Sequence, residues 1–246
     1  MKARFAKFVE AGYAQSYDWA QEAWHLLDLK AYADSGETYL EAASKFNNYT
    51  FVCEAADSFY FGGDLDRALS SARDCIKQAE GKEKSAGTIA SARARIADAL
   101  NQRGVYEEAL SQITQALVTE PNNASFLDTK ARALYGAGRY AESATASKAA
   151  IQASDGKYGW MHFQLGLAYF KLRDWESAKD SFERAANLDP NDPEAAYNVA
   201  ASYQNMHSRR DAIAWYKQVI SRDATYAQKN DVAGSIADLE RQLQQQ

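Results

Sequence analysis

Residues 159–192 read GWMHFQLGLAYFKLRDWESAKDSFERAANLDPND, and this stretch decides the fold. With Gly159 counted as position 1, positions 4, 7, 8 and 11 share one face of a helix, because an α-helix returns to the same side every three to four residues. Positions 20, 24, 27 and 28 share a face in the second half. Small residues stand at positions 8 and 20, Gly166 and Ala178, and allow two helix backbones to approach closely. The stretch therefore predicts two antiparallel helices packed as a hairpin.

The same pattern recurs about every 34 residues, which is the sign of a repeat architecture. Five stretches align: 49–82, 90–123, 124–157, 159–192 and 193–226. Position 8 is small in all five: Ala56, Ala97, Ala131, Gly166 and Ala200. Position 20 is small as well: Ala68, Ala109, Ser143, Ala178 and Ala212. Gly63, Gly104 and Gly138 stand where the first helix ends and a left-handed residue is needed, while Pro121 and Pro190 stop the second helix.

This pattern resembles the tetratricopeptide repeat (TPR). The clearest copy is 159–192, with LGLAYF at 165–170, DWESA at 174–178 and LDPND at 188–192. The resemblance implies an all-α fold, a right-handed superhelical solenoid of antiparallel helix hairpins with a C-terminal capping helix. Such arrays present a concave groove, lined by the first helix of each repeat, in which the family binds peptide segments.

The ends of the chain are off-period. Residues 1–48 are helical in composition and fit a divergent sixth repeat with a two-residue insertion. Residues 49–226 hold the five repeats. Val232, Ile236, Leu239 and Leu243 form one apolar stripe, so we expect 227–246 to be a single capping helix, over about 227–244, with a frayed tail.

Composition excludes several classes of protein. The chain has 246 residues, of which 46% are hydrophobic and 25% are charged, so it is not expected to be disordered. Three prolines and thirteen glycines supply too few turns for a β-sandwich or barrel. A net charge of −5 with interspersed signs argues against a nucleic acid partner. No apolar run is long enough to cross a bilayer, so direct membrane insertion is not expected.

The sequence contains no constellation of catalytic residues. The three histidines, His25, His162 and His207, belong to different repeats and lack metal-ligand spacing. Cys53 and Cys75 lie on the two helices of one hairpin, where a reduced pair is favoured over a disulfide, which would indicate export. Glycine-rich phosphate loops and nucleophile elbows are absent from the sequence. We therefore predict a protein that is not an enzyme and needs no cofactor or metal.

The resemblance to the TPR family places the candidate peptide-binding residues on the first helix of each repeat, at positions 2, 5, 6, 9, 12 and 13. Amide and charged side chains there suit hydrogen bonds to a peptide. The predicted site residues are Arg95, Asp98, Asn101, Arg132, Tyr135, Trp160, Phe163, Leu167, Phe170, Tyr197, Asn198, Gln204 and Asn205.

The helix that begins at Gly159 is apolar on nearly every side, because Trp160, Phe163, Leu167 and Phe170 occupy the binding face. A helix that is apolar all round is normally buried. These residues are therefore either core between repeats, a trough for an apolar peptide segment, or a surface for self-association.

The family's clamp for acidic chaperone tails is not predicted. It needs Lys and Asn at positions 5 and 9 of the repeat that precedes an Asn at position 6. Here Phe163 and Leu167 occupy those places before Asn198. Arg95 and Arg132 can still meet a carboxylate singly.

We therefore predict a non-catalytic adaptor or scaffold that binds a protein or peptide partner on its concave face. Two alternatives stay open: a chaperone that shields an apolar segment of a secreted or assembling client, and a sensory or regulatory module of a larger system. The first residues, MKARFAKFVEAGYAQS, lack the uninterrupted apolar core of a signal peptide. The expected location is cytoplasmic if Met1 is the native start and unknown otherwise.

Overall fold

The computed structural model describes Val9 and residues 15–245, and every regular element in this part of the chain is a helix. The predicted all-α class and the array of helix hairpins are confirmed. The predicted N-terminal region lies outside the described residues over 1–8 and 10–14, as does Gln246. The helices are α1 (Ser16–Asp28), α2 (Tyr32–Phe46), α3 (Tyr49–Phe61), α4 (Leu65–Ala79), α5 (Ala86–Gln102), α6 (Tyr106–Thr119), α7 (Ala124–Gly136), α8 (Tyr140–Ala153), α9 (Gly159–Lys171), α10 (Trp175–Leu188), α11 (Pro193–Asn205), α12 (Arg209–Arg222), α13 (Ala224–Lys229) and α14 (Val232–Gln244).

The chain forms two compact units, an N-terminal unit (Met1–Pro121) and a C-terminal unit (Asn122–Gln246). In the N-terminal unit each helix from α1 to α6 packs against the next. Ser35 Oγ of α2 donates a hydrogen bond to the Ala23 carbonyl oxygen of α1 over 2.7 Å, and both residues are buried. Their spacing of 12 residues equals that between positions 8 and 20 of the later repeats. The α1–α2 hairpin therefore follows the repeat register from residue 16.

In the C-terminal unit the hairpins are α7–α8, α9–α10 and α11–α12, and consecutive helices again pack together. Ser143 Oγ donates to the Ala131 carbonyl oxygen over 2.8 Å, the same contact at the same spacing as in α1–α2. In α9–α10 the space at position 8 is filled by the Phe182 ring, and a Cβ atom added at Gly166 would lie 2.6 Å from that ring. Small residues at position 8 therefore set how closely the helices pack.

Polar side chains begin several helices, because the first backbone N–H groups of a helix have no partner within it. Carboxylate oxygens of Asp64, Asp174 and Asp192 and the amide oxygen of Asn123 accept hydrogen bonds from these groups. The turn after the first helix takes a positive φ in every hairpin from α3–α4 to α11–α12. Gly63, Gly104 and Gly138 supply it at +77°, +75° and +77°.

The C-terminal end differs from the single helix expected over 227–244. Two helices, α13 and α14, meet at Asn230 and Asp231, because Asp231 adopts a left-handed φ of +47°. Its Oδ1 accepts a hydrogen bond from the Gly234 N–H over 3.3 Å and begins α14. The apolar stripe of this helix packs against α12. Val232, Ile236 and Leu239 are buried there, and Leu243 is partly buried beside them.

The two cysteines do not form the reduced pair that the sequence favoured. Cys53 of α3 and Cys75 of α4 are joined by a disulfide, with Cα atoms 5.1 Å apart, well within bonding range. Helical periodicity places both residues on one hairpin but does not show whether their side chains oppose each other. The packing of α3 on α4 brings them together.

Among the described residues, none of the helices is both long and apolar enough to span a bilayer.

Candidate protein-binding faces

Each unit presents a face made by the first helices of its hairpins. We call the side formed by positions 2, 5, 6, 9, 12 and 13 of these helices the first-helix face. In the N-terminal unit it belongs to α1, α3 and α5, and in the C-terminal unit to α7, α9 and α11.

Three of the four apolar site residues predicted on α9 contribute to a hydrophobic cluster. Phe163, Leu167 and Phe170 are partly buried and pack around Phe182. The ring centroids of Phe163 and Phe182 lie 5.4 Å apart, and Phe170 lies edge-on to Trp175 at 4.9 Å. These contacts match the core alternative for these three residues.

Trp160 behaves differently from the rest of α9, because its side chain is 56% exposed. It stacks on Tyr158 with ring centroids 4.3 Å apart and an interplanar angle of 28°. Tyr158 is also exposed. The first turn of α9 therefore presents two stacked aromatic rings to solvent.

Gln164 also lies on this face of α9 and was not among the predicted site residues. It is only 8% exposed, and its Nε2 has no hydrogen-bond partner among the described residues. A buried amide donor that stays unpaired costs about 1–3 kcal/mol. The signal was available, since Gln164 occupies position 6, the position of the predicted residues Arg95 and Asn198.

On α7 the predicted residues make contacts within the C-terminal unit. Arg132 Nε donates to Asp128 Oδ2 over 3.1 Å, and its Nη2 donates to Thr129 Oγ1 over 3.1 Å. Tyr135 packs on Tyr140 at 5.4 Å, and burial, followed by the influence of Tyr140, raises the pKa of Tyr135. Arg132 is thus oriented by its own helix.

The predicted residues on α11 divide into two kinds. Tyr197 packs edge-on against Tyr216 at 5.5 Å, and Gln204 Oε1 accepts a hydrogen bond from the Tyr216 hydroxyl over 2.9 Å. These two side chains tie α11 to α12. Asn198 and Asn205 lie at the surface, where their amide groups donate to carbonyl oxygens of the same helix over 2.9 and 2.8 Å.

In the N-terminal unit Arg95 is held by its neighbours. Its Nε donates to Asp57 Oδ1 of α3 over 2.5 Å, and its Nη1 lies 3.5 Å from Asp98 Oδ2. The guanidinium also lies over the rings of Tyr60 and Phe61, 4.4 and 5.1 Å from their centroids. The sequence suggested that Arg95 can pair with a ligand carboxylate. In the structure two carboxylates of the protein itself, those of Asp57 and Asp98, already lie beside its guanidinium. Asn101, on the last turn of α5, is partly buried.

Two ionisable groups of the N-terminal unit, Glu54 and Tyr39, have raised pKa values, first because they are buried and then because acidic groups of α3 lie near them. Desolvation and the neighbouring Asp57 raise the pKa of Glu54, although Arg95 acts in the opposite direction. Burial, and then Glu54 and Asp57, raise the pKa of Tyr39 to about 12. Both shifts have the sign expected where negative charges lie close together.

The histidines occupy unrelated environments. His162 is half-buried, with its Nε2 3.3 Å from the Gly156 carbonyl oxygen, and burial lowers its pKa. His207 is exposed in the α11–α12 turn at a φ of +61°. Within Val9 and residues 15–245, no group of three or more His, Cys, Asp or Glu side chains is placed to hold a metal ion.

Comparison with known proteins bears on the fold and the family. Residues 161–192, which include most of α9 and all of α10, match the family model described as Tetratricopeptide repeat. The heat-shock protein cognate co-chaperone sgt12 of Aspergillus fumigatus is 32% identical over 89 residues, which are 36% of this chain and 26% of that protein. The chain covers less than a third of the length of the curated relatives that it matches.

Two solved structures share the fold. The APC/C hetero-tetramer Cut9–Hcn1 superposes with a TM-score of 0.77 and 13% identity, over 95% of this chain and 44% of that one. YrrB, described as a TPR protein with an unusual peptide-binding site, superposes with a TM-score of 0.60 and 17% identity, over 80% of this chain and 98% of that one. Residues 161–192 therefore form a tetratricopeptide repeat, and the recurring hairpins of the chain share the fold of tetratricopeptide-repeat proteins.

Proposed function

We propose that this protein is a non-catalytic interaction adaptor whose C-terminal unit binds a peptide segment of a partner protein on its first-helix face. The observation that carries the proposal is the exposed stack of Trp160 on Tyr158 at the first turn of α9. Tryptophan and tyrosine are enriched among the residues that dominate binding energy at interfaces. The other aromatic rings of α9 pack against neighbouring side chains, whereas the Trp160 and Tyr158 rings remain exposed.

Gln164 adds a polar contact to this aromatic anchor. It lies one helical turn after Trp160, and its buried Nε2 lacks an acceptor in the described part of the chain. A peptide backbone carbonyl supplies such an acceptor, and satisfying a buried donor recovers about 1–3 kcal/mol. An aromatic platform beside an amide donor suits an extended segment that carries an apolar side chain. The unusual peptide-binding site of YrrB, a protein with the same fold, supports the proposal.

The test is selection of peptides from a displayed random library on the purified chain of 246 residues, followed by titration of the selected peptides. We expect Trp160→Ala to weaken binding at least about tenfold, in the range of interface hot spots, with little change in melting temperature because the ring is exposed. Ile220→Ala is the matched control, since Ile220 is an exposed apolar residue on α12. It should leave binding intact.

Phe163→Ala separates the binding role from the core role. Phe163 packs on Phe182, so its truncation should lower the melting temperature clearly. The proposal fails if Trp160→Ala binds the selected peptides as tightly as the unmodified chain does. It also fails if Trp160→Ala destabilises the chain as much as Phe163→Ala, because Trp160 would then be core.

A second candidate is a chaperone that shields an apolar segment of a client. The exposed rings of Trp160 and Tyr158 favour it, as does the partial match to a co-chaperone. A chaperone of this kind should suppress aggregation of a chemically unfolded protein at a stoichiometric ratio, and Trp160→Ala should lose the effect. Selection of one defined sequence motif, without suppression of aggregation, would instead support the adaptor.

A further inference from the structure

We propose that the Cys53–Cys75 disulfide is a thiol-exchange site, which a small thiol of the glutathione class opens at Cys53 to form a mixed disulfide there. It concerns the α3–α4 hairpin of the N-terminal unit and goes beyond the proposed function, which rests on α9. Three observations support it: the unequal burial of the two cysteines, the apolar surroundings of Cys75, and the residues at the same two positions in another repeat.

The two cysteines differ in how far a thiol in solution can reach them. Cys75 of α4 is 0% exposed, whereas Cys53 of α3 is only partly buried. Thiol–disulfide exchange proceeds by attack of a thiolate on one of the two sulfur atoms, and access decides which one is attacked. An incoming thiol therefore reaches Cys53 Sγ first, and Cys75 Sγ is the leaving group.

The exchange conserves bonds and electrons. The thiolate of the small thiol attacks Cys53 Sγ and forms a new S–S bond with it, while the bond between Cys53 and Cys75 breaks and its electron pair leaves on Cys75 Sγ. The Cys75 thiolate then takes up a proton from water. Because one disulfide replaces another, the small thiol is the only co-reactant.

The surroundings of Cys75 hinder the reverse reaction. Its side chain belongs to a buried cluster with Ala43 of α2, Val52 of α3 and Ala92 of α5. These apolar neighbours disfavour a charged thiolate, which is the form of a cysteine that attacks a disulfide. The displaced Cys75 therefore stays a neutral thiol, and the mixed disulfide at Cys53 persists until a second molecule of the small thiol removes it.

Another repeat shows that a hairpin of this kind forms without the bond. Cys53 and Cys75 occupy positions 5 and 27, where the repeat at 90–123 has Ala94 and Ala116. Both alanines are buried, and α5 packs against α6 as α3 packs against α4. Opening the disulfide should therefore remove the covalent link between α3 and α4 while the two helices stay paired.

The link affects the stability of the N-terminal unit, because the cluster around Cys75 joins residues of α2, α3, α4 and α5. A disulfide stabilises a fold mainly by restricting the unfolded chain, and this one joins residues 22 apart. We expect the opened form to be folded but less stable. The concentration of small thiol then sets the stability of this unit.

Mass spectrometry of the purified chain of 246 residues, after brief exposure to reduced glutathione and an acid quench, tests the proposal. We expect at least about tenfold more glutathione on Cys53 than on Cys75, and a Cys75 thiol that an alkylating label reaches only after unfolding. An adduct mainly on Cys75 would overturn the proposal. So would a native chain that resists glutathione at concentrations that open the disulfide of the unfolded chain.

Single variants compare the two thiols directly. Cys75→Ala leaves the Cys53 thiol, which should form a mixed disulfide with glutathione disulfide at least about tenfold faster than the Cys75 thiol left by Cys53→Ala. Each substitution introduces the residue that the repeat at 90–123 has at that position, so both variants should fold, and circular dichroism checks this. Equal rates for the two folded variants would contradict the selective attack on Cys53.

The double variant Cys53→Ala/Cys75→Ala is the control for stability. Glutathione should leave its melting temperature unchanged, whereas it should lower that of the unmodified chain by about 5 °C or more. An unmodified chain whose melting temperature stays constant after its disulfide has opened would overturn the proposed control of stability. Trp160→Ala should change none of these results, so the proposal can fail while the proposed function stands.

Discussion

The α7–α8 and α9–α10 hairpins of the C-terminal unit align position by position in the repeat, but different residues fill the space between their two helices. In α7–α8, position 24 is Ser147 and position 8 is Ala131. In α9–α10, position 24 is Phe182, which is fully buried, and position 8 is Gly166. The Phe182 ring occupies the volume that a Cβ atom at residue 166 would need. The two hairpins thus keep one register with different residues at the facing positions, and the large Phe182 ring fits because residue 166 has no side chain.

The same two hairpins also differ in their turns. Gly138 takes a φ of +77° after α7, whereas Arg173 takes +61° after α9. A left-handed conformation is open to glycine but costs a residue with a side chain about 1–2 kcal/mol. The turn geometry is therefore shared, but only α7–α8 has the residue that adopts it without strain.

The largest expected effect is in the aromatic hairpin. Phe182→Ala removes a fully buried ring that contacts Phe163 and Phe170, and it should lower the free energy of unfolding by about 3–5 kcal/mol. Denaturant unfolding followed by circular dichroism measures it. A loss below about 1 kcal/mol would show that the cluster around Phe182 is not the core of this hairpin.

Gly166→Ala tests the exchange of volume between the two positions. The added methyl group meets the Phe182 ring, so we expect a loss of about 1–3 kcal/mol. In a Phe182→Leu background the loss should shrink, and a double-mutant cycle measures the difference. Additive effects would contradict the coupling. Ala131→Gly is the reciprocal control and should cost only about 0.5–1 kcal/mol, from helix propensity.

The free energy of unfolding should change in opposite directions when glycine is removed from one turn and introduced into the other. Gly138→Ala should lower the free energy of unfolding by about 1 kcal/mol, because no side chain is comfortable at +77°. Arg173→Gly should raise it by up to about 1 kcal/mol, since glycine relieves the strain but adds freedom to the unfolded chain. Thermal unfolding of both variants measures the two effects, and a lower melting temperature for Arg173→Gly would contradict the prediction.

The smallest expected effects on stability concern two buried serines of α8, Ser143 and Ser147. Ser143 Oγ donates to the Ala131 carbonyl oxygen, so Ser143→Ala should cost about 1 kcal/mol. Ser147 is equally buried, but its Oγ has no hydrogen-bond partner within Val9 and residues 15–245. Ser147→Ala should therefore be neutral or stabilise the chain by up to about 1 kcal/mol. Equal destabilisation by the two changes would show that burial of volume, not the hydrogen bond, decides their contribution.

Sequence analysis identified the repeat but not the partners of its binding residues. Periodicity places Arg95, Phe163 and Tyr197 on the first-helix faces, and the structure gives each of them neighbours inside its own unit. Whether a side chain on such a face meets solvent or a neighbouring helix depends on its rotamer and on residues some thirty positions away. Of the four apolar residues of α9 that were predicted as site residues, only Trp160 is largely exposed.

The α13–α14 break and the disulfide were missed for related reasons. Asp231 comes directly before the apolar stripe that begins at Val232, so the stripe predicts a helix there but does not show that a left-handed residue separates it from the preceding one. The repeat pattern places Cys53 and Cys75 on the two helices of one hairpin, but only the packing of α3 on α4 shows that they lie within bonding distance.

The sequence by itself determined the all-α class, the pairing of helices into hairpins and the places where they turn. These features depend on contacts between residues close along the chain, and a repeating pattern records such contacts directly. The packing of the hairpins settles three further points: Arg95 is paired with Asp57 and Asp98, Gln164 is buried with no acceptor among the described residues, and Trp24 and Trp160 stay exposed. Those outcomes depend on the shape and charge of the surfaces that meet between hairpins, which the period of a single helix does not encode.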